Sequence, residues 1–404
     1  MRQWDRLVAG DFAGHVAREL AVVTSARVRT RHPACPDAEA PQPFLLAYTP
    51  VARTNPFQQL LYSRAHRHGA ALLPVTQREH LLRLPWLGAL VVHLHWIGDV
   101  IGAAKSDEEA DRRVDEFAAL LGSLKARRNA HILWTAHNVL PHDTKRPEAD
   151  VRARRVLLDH VDAVHAMSRT TVAELTDAFG AFEAPVFFAP HPSYDGVYPD
   201  VHDQDAARAE LGIWPDRFVY VFFGSLQRYK GTDVLIQAFD EVASSSAGGG
   251  RTKPHLLIAG IPSEPTVVAE LSAFASGRSD VTLDARRLTP EEVATCLRAA
   301  DVAVAPYRRG LNSGVFQLAR TFGLPVIASN LGAFSDQAGG DVRLVTPSDP
   351  SNLARAMLES AQPGAFVGAV ETGVVSPGEA SDTFFAELTS TLGLPSASVG
   401  GGSE

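Results

Sequence analysis

Segments with the pattern of buried strands alternate with segments of helical periodicity along most of this chain, in two successive blocks. Strands that alternate with helices indicate parallel sheets with the connecting helices packed on both faces. At 404 residues the chain is longer than one ordinary domain. We therefore predict an α/β protein with two doubly wound, Rossmann-like parallel-sheet domains that face a cleft.

The predicted strands are short apolar runs bounded by turn residues. They lie at 44–50, 71–75, 90–96, 130–138, 162–168 and 185–192 in the first block, and at 218–223, 255–260, 281–286, 301–307, 324–329 and 342–347 in the second. A single helix is expected over 55–69. Because the carboxyl ends of parallel strands carry the ligand loops, the cleft is the expected site.

The domain limits follow from where the pattern restarts. The predicted parts are an N-terminal domain (1–202, with a variable segment 1–43), a second domain (203–376), a C-terminal helix (377–394) and a disordered tail (395–404). The tail is rich in small residues, which favours disorder at a terminus.

Charge and cysteine content narrow the class of protein. The net charge is −8 and neither half of the chain is basic, so no nucleic-acid partner is expected. Cys35 and Cys296 are far apart and lack metal-site spacing, which fits a reducing compartment. Without a secretory signal or a long apolar run, we expect a cytoplasmic protein. The basic runs 125–128 and 152–155 are interpreted as solvated helix faces, with weak peripheral membrane contact as the alternative.

The segment 218–239 has the composition of a phosphate-binding turn. A buried strand stops at Gly224, a polar turn carries Arg228 and Lys230, and a helix begins after Gly231. The start of a helix offers free N–H groups and a positive dipole, and the two cations add full charge. We expect this turn to hold a phosphorylated ligand, although a solvated turn would have the same composition.

Four pieces of the second block, taken in order, resemble the donor-binding half of a GT-B glycosyltransferase of family 4, the glycosyl transferases group 1. They are FFGSLQRYKGTDVLIQAF, HLLIAG, RLTPEEVATCLRAADVAVAPY and SGVFQLARTFGLPVIAS. The first block resembles the acceptor half more loosely, through HLHW, LWTAHN and AMSRTTVAEL. The combination and its spacing are specific, whereas each piece alone is weak.

The resemblance implies transfer of a sugar from a UDP- or GDP-sugar to an acceptor hydroxyl of a bacterial glycan, glycolipid or natural product. Arg228 and Lys230 would then stabilise the departing diphosphate, with no metal and no further cofactor. Asn312, Ser313 and Gly314 would form a second phosphate cradle at a helix start. The family also implies retention rather than inversion at the anomeric carbon. It further implies that 1–202 binds the acceptor, that 203–376 binds the donor, and that the C-terminal helix 377–394 packs back on the first domain.

The chain departs from the family pattern at the paired acidic residues that usually contact the donor sugar. The corresponding positions are Gly310 and Leu318, and Arg309 lies beside the first of them. An arginine there would meet a diphosphate or an acidic sugar, or would be an exposed loop charge. The missing pair keeps two alternatives open: a non-catalytic nucleotide-sugar sensor or partner subunit, and a GT-B sugar-nucleotide epimerase.

In the first block His137 is the main catalytic candidate, because it ends a buried strand at the edge that carries ligand loops. His93 and His95 share one strand face, and without a third ligand we expect acceptor-side or structural roles rather than a metal site. Asn55 follows the first strand, Ser168 ends the fifth, and both are expected on the acceptor side. For each of these residues a structural role is the competing interpretation.

Overall fold

The computed structural model describes residue 7 and residues 12–30, 43–84, 86, 88–102, 104–128, 130–141, 144–199, 202–246, 253–366 and 374–394. These residues form two compact units, divided between Pro192 and Ser193 and again between Ser376 and Pro377. Unit 1 therefore takes the last helix of the chain, and unit 2 is the segment between. About half of the predicted N-terminal segment 1–43, and all of the predicted tail 395–404, lie outside the described residues.

Unit 1 is built on a six-stranded parallel sheet. Its strands are β1 (Phe44–Thr49), β2 (Ala70–Pro74), β3 (Leu90–Leu94), β4 (His131–Thr135), β5 (Ala163–Ala166) and β6 (Val186–Phe188). The strand order is β2-β1-β3-β4-β5-β6, with parallel pairing throughout. The order reverses between β1 and β3, which is the arrangement of a doubly wound fold.

The described helices of unit 1 cover both faces of this sheet. They are α1 (Ala13–Thr30), α2 (Phe57–Leu61), α3 (Asp107–Arg128), α4 (Pro147–Leu158), α5 (Thr170–Phe179) and α13 (Pro377–Leu392), with 3-10 turns at Ala65–His68, Arg78–Arg83 and Ile97–Asp99. One apolar cluster packs α1, α3 and α4 on one face. A second cluster packs α2 and α13 on the other face.

Unit 2 repeats the architecture with a second six-stranded parallel sheet. Its strands are β7 (Arg217–Phe223), β8 (Lys253–Ala259), β9 (Val281–Asp284), β10 (Val302–Ala305), β11 (Val326–Ser329) and β12 (Val342–Val345), in the order β12-β11-β10-β7-β8-β9. Its described helices are α6 (Gln204–Glu210), α7 (Thr232–Ser246), α8 (Pro265–Ala275), α9 (Pro290–Ala299), α10 (Gly314–Thr321), α11 (Gly332–Asp336) and α12 (Pro350–Ser360), with a 3-10 turn at Arg228–Lys230.

Local chemistry explains where these elements begin. Helix α9 starts with a capping box in which Thr289 and Glu292 each accept a hydrogen bond from the other's backbone N–H. Helix α12 starts with the Asp349 carboxylate accepting from the Asn352 N–H. Strands β3, β5, β10 and β11 are buried along their whole length, which explains their continuous apolar runs, whereas the edge strands β9 and β12 are mostly only partly buried. The predicted fold class, two doubly wound α/β domains, is confirmed.

Three features differ from the sequence prediction. The helix expected over 55–69 is divided into α2 and the 3-10 turn at Ala65–His68. The division between units lies at Pro192 rather than at 202. The segment after Pro192 belongs to unit 2 because the Tyr194 N–H donates to the Thr321 hydroxyl and the Tyr194 ring packs on the Tyr198 ring. Within the basic run 152–155, Arg154 is not solvated; it is buried and pairs with Asp150.

The last helix, α13, contributes to the core of unit 1. Phe384 and Phe385 are fully buried, and the Asp382 carboxylate accepts from His68 at 2.9 Å and also pairs with Arg64. None of the helices in the described part of the chain combines the length and apolar content that crossing a bilayer requires.

Candidate functional site

A buried cation lies at the carboxyl end of β7. We call Gly224, Lys230 and Tyr307 the Lys230 corner. The Lys230 ammonium lies over the Tyr307 ring, 5.3 Å from its centroid, and the side chain is only 5% exposed. Burial lowers the pKa of Lys230. No carboxylate among the described residues forms an ion pair with it, so the corner offers an uncompensated positive charge.

Glycines create the space for this corner. Gly224 has φ +116°, and a Cβ there would lie 2.6 Å from the Lys230 Nζ. Gly231 has φ +75°, and a Cβ there would lie 1.9 Å from the Pro306 carbonyl oxygen. Both positions therefore need a residue that tolerates the left-handed region and has no side chain.

The start of α10 adjoins the corner. The Ser313 hydroxyl accepts from the Phe316 N–H and lies 3.3 Å from the Tyr307 hydroxyl. A Cβ on Gly314 would lie 2.4 Å from the Tyr194 hydroxyl, so Tyr194 stands directly over this helix start. Burial raises the pKa of Tyr194, which keeps its hydroxyl as a neutral donor and acceptor. The structure thus brings Gly224, Lys230, Ser313 and Gly314 close to one another around Tyr307 and Val315.

Arg228 points to a different environment from that of Lys230. Its guanidinium lies 2.5 Å from a Glu270 carboxylate oxygen and 3.8 Å from one of Asp233. Its backbone N–H donates to Glu264 at 3.0 Å. Arg228 is therefore half exposed and surrounded by carboxylates, so an anionic ligand would have to replace these partners.

The loop that precedes α10 carries the departure from the family pattern. Gly310 has φ +148°, and Leu318 is buried, so neither position presents a polar side chain to a ligand. Arg309 is exposed on the same loop, and Asn312 is partly buried next to Ser313. The neighbouring Arg308 pairs with Asp233 at 2.5 Å.

Unit 1 contains a continuous hydrogen-bonded row of ring and hydroxyl groups, which we call the histidine chain. It runs from His137 through His95, Tyr62, His93 and Thr135 to His165, with successive distances of 3.0, 2.7, 2.7, 2.6 and 2.9 Å. At its inner end the His165 Nε2 lies 3.0 Å from the Ala189 carbonyl oxygen. The chain crosses the sheet from β3 to β5.

Burial keeps the histidine chain uncharged near neutral pH. It lowers the pKa of His93, His95 and His137 well below the usual value, and that of His165 to about 4. The hydrogen bonds of His93 and His95 argue against the alternative that these residues bind a metal. All four of their ring nitrogens already have hydrogen-bond partners.

His137 is the most exposed member of the histidine chain. It is half buried and, with His95, lines a cavity of about 90 Å³ that is also bordered by Trp96 and Arg154. The Trp96 ring stacks on His137 at 4.2 Å, and the Phe57 ring meets it edge-on at 4.9 Å. These rings hold the imidazole plane in one orientation.

The other acceptor-side candidates are distributed differently. His93 has no exposed surface and lies in the core, so its contacts are with the chain rather than with a ligand. Asn55 is exposed, and its side-chain oxygen accepts from the Phe57 N–H at the start of α2. Ser168 is buried and lies 2.6 Å from the Thr170 hydroxyl.

The sequence analysis did not identify several residues that contribute to these sites. They are Tyr62, Thr135, His165, Tyr194 and Tyr307. Thr135 and His165 did carry a signal, because each is a polar residue inside an apolar strand and they are paired in register across β4 and β5. Tyr194 carried none, because its position over Gly314 depends on tertiary packing.

The fold of the two units is that of the GT-B class, and solved structures with the same fold agree. HepE of Anabaena in complex with UDP-glucose matches with a TM-score of 0.64 at 15% identity, over 86% of this chain and 99% of that one. The alpha,alpha-trehalose 6-phosphate synthase of Burkholderia multivorans matches with a TM-score of 0.60 at 14% identity, over 88% and 99%. At these identities the likeness establishes the fold alone.

A family model matches most of unit 2. Residues 217–362 match the family model described as Glycosyl transferases group 1. The resemblance to this family that the sequence predicted is therefore confirmed. The matched range contains the Lys230 corner and the start of α10.

Curated relatives extend the similarity beyond unit 2. The D-inositol 3-phosphate glycosyltransferase of Acidothermus cellulolyticus is 27% identical over 320 residues, which cover 77% of this chain and 68% of that protein. The D-inositol 3-phosphate glycosyltransferase 1 of Catenulispora acidiphila is 27% identical over 280 residues, which cover 67% of this chain. This chain spans only 64% of the length of that second relative.

Proposed function

We propose that this protein transfers a sugar from a nucleoside diphosphate sugar to an acceptor hydroxyl. The observation that carries the proposal is the buried Lys230 ammonium, which has no carboxylate partner among the described residues and stands over Gly224 at the end of β7. Such a charge is costly unless a bound anion compensates it. HepE, which shares the fold, was solved with UDP and with UDP-glucose, which supports a nucleoside diphosphate as that anion.

The chemistry of the corner suits a departing diphosphate. Negative charge grows on the β-phosphate as the sugar bond breaks, and a fixed cation in a water-poor site stabilises that charge more than the ground state. In this proposal Lys230 contacts the diphosphate first. Arg228 contacts it once the ligand has replaced Glu270 and Asp233 as the partners of the guanidinium. The two cations would supply the charge that a divalent metal supplies in other transferases.

The remaining site residues have supporting roles in this proposal. The start of α10, with Ser313 and Gly314, would hold phosphate oxygens, and Arg309 and Asn312 would lie near the sugar. His137 in unit 1 would contact a substrate hydroxyl through the cavity that it lines. The names of the relatives make D-inositol 3-phosphate the first acceptor to test.

Lys230→Met tests the donor site directly. Losing a buried charge-assisted contact costs roughly 1.5–3 kcal/mol, so we expect UDP affinity to fall about 10- to 150-fold in calorimetric titration. Lys253→Met is the matched control, because Lys253 is an exposed lysine of unit 2 that pairs with Asp216 at the surface. Equal affinity of Lys230→Met and wild type for UDP and GDP would overturn the proposed site.

A second candidate function, a nucleotide-sugar sensor without transfer, is favoured by one observation. The two positions that usually carry carboxylates are Gly310, a glycine with φ +148°, and the buried Leu318. Incubation with UDP- and GDP-sugars and an acceptor panel separates the candidates, with release of nucleoside diphosphate and a glycosylated product as readouts. Tight binding with no product from any pair would favour the sensor. Proton NMR of a product would test the expected retention of configuration.

A further inference from the structure

At the inner end of the histidine chain, the hydrogen bond between His165 and Ala189 can run in only one direction. The His165 Nε2 lies 3.0 Å from the Ala189 carbonyl oxygen, and a carbonyl has no hydrogen to give. Nε2 must therefore carry the hydrogen and donate it. Because burial lowers the pKa of His165 to about 4, the ring is neutral at pH 7 and its Nδ1 has a lone pair. That lone pair accepts from the Thr135 hydroxyl, 2.9 Å away.

The direction of this hydrogen bond fixes the direction of every other bond in the histidine chain, because each neutral ring and each hydroxyl has one hydrogen to donate. The Thr135 hydroxyl has donated its hydrogen, so it accepts from the His93 Nε2. The neutral His93 then accepts at Nδ1 from the Tyr62 hydroxyl, and Tyr62 in turn accepts from the His95 Nε2. His95 is left with a lone pair on Nδ1, which accepts from the His137 Nε2 at 3.0 Å.

We propose that Thr135 and His165 are positioning residues that hold His137 in the tautomer with hydrogen on Nε2 and a lone pair on Nδ1. Nδ1 has no hydrogen-bond partner among the described residues, and His137 lines the cavity next to Trp96. The chain thus leaves a fixed hydrogen-bond acceptor where a substrate hydroxyl would bind. The use of this acceptor by a substrate rests on the proposed glycosyl transfer, whereas the tautomer does not.

Removal of the Thr135 hydroxyl breaks the link to the carbonyl that sets the direction. In Thr135→Val the His93 Nε2 has lost its acceptor, and a buried N–H without a partner is costly. The reversed chain then becomes favourable, with His93 donating from Nδ1 to Tyr62 and so on outward. In that direction His137 accepts at Nε2 and carries its hydrogen on Nδ1. Thr135→Ser keeps the hydroxyl and therefore the original direction.

The tautomer is measured on the full chain, with histidine labelled by ¹⁵N, by two-bond ¹H–¹⁵N correlation NMR at pH 7.5. Loss of a signal in His137→Gln assigns the residue. We expect wild type and Thr135→Ser to show protonated Nε2 and unprotonated Nδ1, and Thr135→Val to show the reverse or an average. Thr282→Val is the matched control, because it removes the equivalent contact of His255 at 2.9 Å in unit 2. It should leave the His137 signal unchanged.

Two results would overturn the proposal: a wild-type His137 with hydrogen on Nδ1, or a folded Thr135→Val that keeps the wild-type pattern. Circular dichroism and thermal melting establish folding. If Thr135→Val does not fold, Tyr62→Phe interrupts the chain between His93 and His95, and retention of the wild-type tautomer there would also overturn it. Since this readout needs no substrate, the absence of transfer activity would leave the result intact.

In an active enzyme, Thr135→Val is expected to lower kcat about tenfold while the Kd for UDP stays within twofold of wild type. Thr135→Ser should recover most of that loss. A fall in UDP affinity equal to the fall in kcat would point to general damage and would count against a positioning role.

Discussion

At the scale of single residues, Arg228 and Lys230 show that two neighbouring cations of one turn can lie in very different surroundings. Both belong to one short turn, and the sequence predicted equal roles for them. In the structure Lys230 is buried over Gly224, whereas Arg228 is partly exposed and held by Glu270. A buried cation without a partner can interact strongly with a bound anion, whereas a screened ion pair at the surface contributes little to stability.

Gly231 offers a prediction at this scale. An alanine there would have a left-handed backbone and a Cβ 1.9 Å from the Pro306 oxygen, so we expect a loss of roughly 3–5 kcal/mol in the free energy of unfolding. Gly212→Ala is the control, because Gly212 has a similar φ of +67° and nothing within 4 Å of the added Cβ. It should lose only about 1–2 kcal/mol. Urea denaturation measures both, and equal losses would contradict the crowding argument.

At the scale of elements, every predicted strand overlaps an observed one, but one predicted helix forms two shorter elements. Buried strands show as apolar runs because both faces are covered, and this signal is local. The segment 55–69 has helical periodicity throughout, yet it forms α2 and a 3-10 turn. Its polar groups bond to the docked α13 instead: the Ser63 hydroxyl donates to the Pro377 carbonyl, and the Arg64 N–H donates to Ser381.

Helix α13 offers a prediction at this scale. Phe384 is fully buried and stacks on the His93 ring at 5.5 Å, so Phe384→Ala should cost about 3–5 kcal/mol of stability. Glu387→Ala on the exposed face of the same helix is the control and should change stability by less than about 0.5 kcal/mol. Guanidinium denaturation followed by circular dichroism tests the pair. A small effect of Phe384→Ala would mean that α13 contributes little to unit 1.

At the scale of the whole molecule, buried histidines concentrate in unit 1. His165 and His191 lie in its interior, and burial lowers the pKa of each to about 4. Their usual value near 6.5 returns when the chain unfolds. Between these values the unfolded chain binds more protons than the folded one, so stability rises with pH across this window.

We therefore expect stability to be fully present above about pH 6.5 and to be lost as the pH falls towards 4. Each of the two histidines would contribute on the order of 3 kcal/mol. Urea melts at pH 7.5, 6.5, 5.5 and 4.5, followed by tryptophan fluorescence, measure this change. Trp96 and Trp134 report on unit 1, and the exposed Trp214 reports on unit 2. A free energy of unfolding that stays constant from pH 6.5 to 4.5 would contradict the expectation.

The order of strands and helices, the two-block division and the basic turn after β7 were all determined by the sequence itself. Each depends on local pattern: apolar runs, caps, glycines and charges a few residues apart. The positions of Gly224, Lys230 and Ser313 could be predicted because the spacing of the resembling segments places them at a strand end, in a turn and at a helix start.

Only the tertiary structure decided which of these groups meet. Tyr194 reaches Gly314 across 120 positions of sequence, and the histidine chain joins Tyr62, which follows α2, to β3, β4 and β5 through side chains that no local pattern connects. Hydrogen-bond partners, burial and the resulting pKa values depend on distances between residues remote in sequence. Those distances are set when the sheet brings its strands together, so the neutral histidine chain and the uncompensated lysine exist only in the folded protein.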